Sequence, residues 1–253
     1  MANPTFLSKN YLTADCTINV SSGSAVKQYA YDQKKVTVWK SSGETDEDGD
    51  YSCSYEVLFY EGSVATARTI DTIVLQGINL KKFKIQYWTG AAYADIAEAV
   101  YTTNAASSLR IKLASSVSTL KLNVVMDTTI VAGEEKEIGE LWAMLETYEL
   151  VGPRMKVSQS DYKDGGQYYL ASGKLESWLL FNKYSGQFVF DFLTDTQLSE
   201  LRAIYDEHDT FTFYINNVRD VDSIYLVQWI NSFKVEDDTL LKLNSLTMEL
   251  MEQ

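Results

Sequence analysis

Apolar and polar residues alternate with a period of two along much of this 253-residue chain. Phe83, Ile85 and Tyr87 fall on one side of the pattern and Lys82, Lys84 and Gln86 on the other, which predicts a half-buried strand. Ile70, Thr72 and Val74 against Asp71, Ile73 and Leu75 predict a strand buried more completely. Leu109, Ile111 and Leu113 alternate with Arg110 and Lys112, and Leu120, Leu122 and Val124 with Lys121 and Asn123. Turn signals separate these runs: Ser21-Ser22-Gly23-Ser24, Ser41-Ser42-Gly43, Gly77-Ile78-Asn79, Thr89-Gly90 and Ala132-Gly133. Short strands spaced this way, with no helix between them, predict an antiparallel β-sandwich with Trp39 and Phe83 in its core. Glu140-Leu141-Trp142-Ala143-Met144-Leu145 predicts the closing strand.

Val151-Gly152-Pro153-Arg154 then marks a boundary, so the expected domains are 1–148 and 149–253. Beyond it strands are predicted at Tyr168-Tyr169-Leu170, Trp178 to Phe181, Phe188 to Phe192, Phe211 to Ile215, Tyr225 to Trp229 and Leu246 to Leu250. One helix interrupts them. Thr194 and Gln197 have capping-box spacing, Leu198, Leu201, Ile204 and Tyr205 form a stripe of helical period, and the helix is expected to end near His208. The fold class is therefore all-β, with one α-helix in the second β-rich domain. No sustained internal repeat connects the halves.

Composition agrees with a globular chain: 45% of residues are hydrophobic and 23% charged, and only Pro4 and Pro153 are prolines. Aromatic content is high, with 17 Tyr, 10 Phe and 5 Trp, which suits strand faces and contact surfaces. The formal charge of −13, from 22 basic and 35 acidic residues, argues against nucleic acid and anionic lipid as partners. No basic stretch followed by an apolar one opens the chain, and no apolar run approaches the roughly 18 residues of a membrane span. The expectation is a protein made in a cytoplasm without a signal peptide and not inserted in a membrane. Cys16 and Cys53 are read as free thiols of a reducing compartment.

Few residues could carry catalysis. His208 is the single histidine, so no histidine-based zinc triad can be built; a Ser-His-Asp triad would need that same residue and no Gly-x-Ser-x-Gly elbow is present, and its place at a helix end complements the helix dipole. No phosphate loop or dinucleotide fingerprint is present. Paired carboxylates stay open as a hydrolase option, although most acids fall on predicted solvent faces. The run Glu44-Thr45-Asp46-Glu47-Asp48-Gly49-Asp50 puts glycine at the sixth position of a calcium loop, but Tyr55 stands at the twelfth and no helices flank it, so a solvated acidic loop is the better reading. Trp88, Tyr93 and Tyr101 gather around the Thr89-Gly90-Ala91-Ala92 turn. They are candidates for a carbohydrate platform, with core or interface packing as the competing use.

Tyr31-Asp32-Gln33-Lys34-Lys35-Val36-Thr37-Val38-Trp39 resembles the Asp-Gly-Asn-x-x-Thr-x-Trp signature of galactose-binding-like, discoidin-type jelly rolls. Ile70 to Tyr87 looks like that family's central strand pair, and Ile138-Gly139-Glu140-Leu141-Trp142-Ala143 is similar to its terminal Ile-x-Glu-Leu strand. The resemblance covers roughly residues 10–148. Its calcium-binding members would place ligands at Asp32, Thr37 and Glu140, but Lys34 stands where an oxygen donor belongs. The resemblance thus implies a vestigial site without metal, in which Lys34 replaces the ion near Asp32 and Glu140.

The second half more loosely resembles C-terminal domains of phage tail proteins, in its strands, its helix from Thr196 to His208 and its final Leu-x-Met-x-Leu strand. This implies a non-catalytic structural or binding component of a phage or phage-like tail, at the tip, the baseplate or as decoration. Its location would be the virion, and its partners other tail proteins, further copies of itself and a host cell-surface glycan. No cofactor is expected. A stand-alone lectin or the carbohydrate-binding subunit of an enzyme is the alternative from another class.

Overall fold

A computed structural model describes residues 4–7, 10–32, 37–42, 52–145, 148–149, 154–169, 175–206, 211–215, 224–238 and 243–252. The chain divides into two compact units, one Lys9–Thr147 and the other Met1–Ser8 with Tyr148–Gln253. Its first strand, β1 (Pro4–Leu7), is thus part of the second unit, which differs from the expected 1–148 domain.

The Lys9–Thr147 unit contains β2 (Thr17–Val20), a 3-10 turn (Ser24–Ala30), β3 (Trp39–Lys40), β4 (Cys53–Leu58), β5 (Tyr60–Glu61), β6 (Val64–Ala65), β7 (Arg68–Gln76), β8 (Leu80–Trp88), β9 (Tyr93–Tyr101), β10 (Ser108–Thr119), β11 (Lys121–Thr129), β12 (Glu137–Ile138) and β13 (Glu140–Met144). One antiparallel sheet has the order β2-β4-β11-β8-β9 and another β10-β7-β13, while β12 pairs with β3 and β5 with β6. Apolar side chains of both larger sheets meet in one core: Ile18, Tyr55, Val57, Phe83, Ile85, Leu122 and Val124 from the first, Ile73, Leu75, Ile111 and Leu141 from the second. This is the sandwich that alternation predicts. In β7, Thr72, Ile73, Val74 and Leu75 are all buried, so both of its faces are covered.

The 3-10 turn is an element that strand periodicity does not reveal. Gly23 precedes it at φ +67, and a Cβ there would lie 2.0 Å from the Lys40 carbonyl oxygen, so only glycine admits this approach. Trp39 is fully buried, as expected, with its ring edge-on to Tyr55 at 5.3 Å. Phe83 is buried too. Cys16 and Cys53 are buried free thiols, and Cys16 Sγ donates to the Tyr11 carbonyl at 3.2 Å.

The second unit adds β14 (Tyr148–Glu149), β15 (Arg154–Tyr169), β16 (Leu175–Leu193), α1 (Asp195–Asp206), β17 (Phe211–Ile215), β18 (Ile224–Trp229), β19 (Val235–Asp238) and β20 (Leu243–Glu252). They build a sheet ordered β14-β1-β17-β18-β20-β16-β15, with β19 also on β20. Two segments expected as separate strands, Trp178 to Phe181 and Phe188 to Phe192, lie within β16 alone, and β19 was not expected. The capping box forms: the Thr194 N–H donates to Gln197 Oε1 at 3.0 Å and the Gln197 N–H to Thr194 Oγ1 at 3.3 Å. Leu201 and Ile204 of α1 are buried in a cluster with Phe188, Phe190, Val227 and Met248. His208 and the acidic run from Glu44 to Asp50 lie outside the described residues. Among the described residues no helix is long and apolar enough to cross a membrane.

The sandwich is an insertion. Thr5 of β1 pairs with Glu149 of β14 and Phe6 with Tyr148, so the strands that flank the insert are hydrogen-bonded neighbours. Within the insert the two ends are also joined. The Tyr11 N–H donates to the Ala143 carbonyl at 2.9 Å, and the Ala143 N–H to Asn10 Oδ1 at 3.1 Å.

Candidate functional site

The β8–β9 hairpin brings two of the three candidate aromatics together. Its turn closes through the Thr89 N–H donating to the Ala92 carbonyl at 2.9 Å, with Gly90 at φ +98. Trp88 then pairs with Tyr93, ring centroids 5.2 Å apart and planes 67° from parallel. Both are half-buried on the outer face of the five-stranded sheet, since Phe83 and Ile85 of β8 point to the core.

Tyr101 is not part of this group. It pairs with Phe83, five residues down β8 from Trp88 and so about 16 Å away. Its ring stacks on Phe83, centroids 4.8 Å apart, and belongs to the rim of the core. Burial pushes its hydroxyl pKa up. The competing packing reading therefore describes Tyr101, while Trp88 and Tyr93 keep a solvent-facing edge.

Around the aromatic pair stands a set of polar residues that the sequence did not single out. The Tyr93 hydroxyl donates to Glu56 Oε2. Glu56 also accepts from Asn19 Nδ2 at 2.8 Å and from Lys121 Nζ at 3.5 Å. Lys121 Nζ lies 5.5 Å from the Trp88 ring centroid, a cation–π distance. Burial alone would raise the Glu56 pKa, but donation from Tyr93 and Asn19 and the charge of Lys121 hold it below the ordinary carboxylate value. Tyr93 is pushed the other way, by burial first and then by its bond to Glu56.

Strand register extends this set into a row. Asn19 pairs with Glu56, Glu56 with Asn123, Asn123 with Gln86, and Gln86 with Asp95. Gln86 Nε2 donates to Asp95 Oδ1 at 2.7 Å and Asn123 Nδ2 to Gln86 Oε1 at 3.3 Å. Lys84 Nζ lies 3.1 Å from Asp95 Oδ1. Alternation in β8 and β11 placed Gln86 and Asn123 on outer faces. Which strands stand beside each other cannot be read from alternation, and that is what assembles the row.

The positions implied as a vestigial calcium site do not suit the ion. Thr37 Oγ1 lies 2.8 and 2.9 Å from the two Asp32 carboxylate oxygens, so its proton is directed at Asp32. Glu140 is buried and accepts from Trp142 Nε1 at 3.3 Å. Lys34 lies outside the described residues. A separate concavity of about 360 Å³ lies between the 3-10 turn and Lys40–Ser42, lined among the described residues by Ser24, Ser41, Ser42, Lys40 and Glu135 and by no aromatic ring.

No family model and no curated protein matches this chain. Several solved carbohydrate-binding modules are similar in structure. Chitosan-binding module 1 of a chitosanase/glucanase from Paenibacillus sp. IK-5 shares 15% identity over 54% of this chain and 99% of its own, with a TM-score of 0.43. The family 32 carbohydrate-binding module of C. perfringens NanJ, solved with galactose, shares 17% over 55% and 98%, at 0.42. A Clostridium perfringens module, CpGH89CBM32-5, in complex with GalNAc-β-1,3-galactose shares 14% over 54% and 100%, at 0.41. At these identities and TM-scores the likeness carries no argument about ligand, which rests on the geometry above.

Proposed function

We propose that the inserted sandwich is a non-catalytic glycan-contacting module and that the second unit carries it within a larger assembly. The observation behind this is the Trp88–Tyr93 pair, solvent-edged and surrounded by carboxylate, amide and ammonium groups. A pyranose ring offers an apolar C–H face and a rim of hydroxyls, which such a mixture of aromatic and hydrogen-bonding side chains complements. Binding of the full chain to a glycan array, and loss of that binding in a Trp88→Ala variant that stays folded with its melting temperature lowered by only a few degrees, is the expected result. An array on which the wild-type chain binds nothing would remove the reading.

The assembly we propose is a phage or phage-like tail, at its tip, baseplate or surface. Support comes from the resemblance of the second half and from the insertion itself, which lets a host sheet display a binding module between two paired strands. Light scattering of the full chain should show an oligomer, and tape-measure and tail-tube genes should lie nearby. A monomer at high concentration without such neighbours favours the stand-alone lectin instead.

A further inference from the structure

We infer, building on the glycan reading, that the ligand is an extended, uncharged oligosaccharide lying across the strands of the five-stranded sheet. The Asn19–Glu56–Asn123–Gln86–Asp95 row crosses all five strands, so its polar groups recur about every 4.8 Å over about 19 Å. That repeat is commensurate with the residue spacing of a linear hexopyranose chain. The Trp88–Tyr93 pair stands beside this row, where a sugar ring can stack while its neighbours meet the amides and carboxylates.

Two further features point to an uncharged chain that donates hydrogen bonds. Glu56 is paired with Lys121 and Asp95 with Lys84, so the patch is close to neutral within a chain of formal charge −13. The hydrogen-bonded row also breaks at its centre. Asn123 Nδ2 donates to Gln86, while among the described residues Asn123 Oδ1 has no donor and its cross-strand neighbour Glu56 is another acceptor. Asn123 Oδ1 is shielded from solvent, so a ligand hydroxyl supplies the missing donor only as the Asn123 side chain turns outward on binding.

The test is calorimetric titration of the full chain with cello-oligosaccharides and N-acetylated chitin oligomers, from the monomer to about the hexamer, against oligogalacturonides of equal length. For at least one neutral series, affinity should rise with length to about four or five residues and then level off, with the acidic series at least about tenfold weaker. Gln86→Ala and Asn123→Ala should each weaken the longer oligomers about tenfold per folded molecule, with the melting temperature lowered by no more than a few degrees. Monomer binding as tight as hexamer binding, or preference for the acidic series, overturns the extended, neutral ligand while leaving a glycan role intact. Binding abolished by Ser24→Trp but untouched by Gln86→Ala would move the site to the cavity at the 3-10 turn and overturn the inference likewise. No binding by the wild-type chain in any series, with an empty glycan array, sinks the glycan reading itself.

Discussion

The indole N–H of Trp39 donates to the carbonyl oxygen of Gly23 at 3.1 Å. The bond ties a fully buried tryptophan of the sandwich to the residue that turns the chain into the 3-10 element, where Gly23 approaches Lys40 closely. Gly23→Ala would add a Cβ 2.0 Å from the Lys40 carbonyl at φ +67, so backbone must shift. The expected loss is about 3 kcal/mol or more in urea unfolding. Gly133→Ala has φ +84 but open space around it, and should lose only about 1 kcal/mol. Equal losses would show that the close approach matters little.

Glu56 makes the platform sensitive to acid. Its folded pKa lies below its unfolded value of about 4.3, because Tyr93, Asn19 and Lys121 together outweigh the opposing effect of burial. Its contribution to stability is therefore present above that unfolded value and is lost as pH falls through the lower folded one. Tyr93 behaves oppositely: with a raised pKa, its contribution holds below about pH 10 and disappears as pH rises beyond. Glu56→Gln should flatten the acid limb of a stability–pH curve, and Tyr93→Phe the alkaline limb. An acid limb that stays equally steep in Glu56→Gln would place the sensitivity elsewhere.

Much of the sandwich could be read from period-two alternation because each strand has one face in a continuous core, as Phe83 and Ile85 show. The helix was legible for a similar reason: Thr194 and Gln197 satisfy each other locally. What alternation could not carry was neighbourhood. Tyr101 looks like a companion of Trp88 and Tyr93 in sequence and shares the parity of Tyr93, yet the register shift of β9 against β8 between Lys84 and Gln86 turns it to the core side. Glu56, thirty-seven residues from Tyr93, joins the site only through the order of β4, β11 and β8. The N-terminal strand escaped for the same reason, since its partners β14 and β17 are distant in the chain.

Lys136 is fully buried, and among the described residues its Nζ has no hydrogen-bond partner. Its main chain exchanges bonds with Ser41: the Ser41 N–H donates to the Lys136 carbonyl at 2.9 Å and the Lys136 N–H to Ser41 Oγ at 2.9 Å. The backbone therefore anchors the residue whatever its side chain. Lys136→Met keeps the volume and removes a polar group that makes no bond, so stability should rise by about 1–3 kcal/mol. A fall in the urea midpoint would show that the ammonium is used in the fold.

Metal removal should leave the sandwich untouched. The Thr37 proton directed at Asp32, and the Trp142 indole N–H donated to Glu140 Oε2, are hydrogen-bond arrangements rather than calcium ligation. Melting curves with and without a calcium chelator should coincide. A melting temperature that falls on chelation would restore a structural ion.

The separation of Tyr101 from Trp88 sets up the most direct division between packing and binding. Tyr101 stacks on buried Phe83 with planes 11° apart, so Tyr101→Ala removes a ring from the edge of the core. That should cost about 2–4 kcal/mol and leave glycan affinity per folded molecule unchanged. Trp88 meets Tyr93 edge-on and Lys121 through its ring face, both at the surface, so Trp88→Ala should cost about 1 kcal/mol. Its affinity for any glycan the wild type binds should fall at least about tenfold. The two variants thus exchange phenotypes, and paired urea titration and calorimetry measure both. If Tyr101→Ala lost binding at full occupancy of the fold while Trp88→Ala kept it, the outer face of β8 would not be the platform.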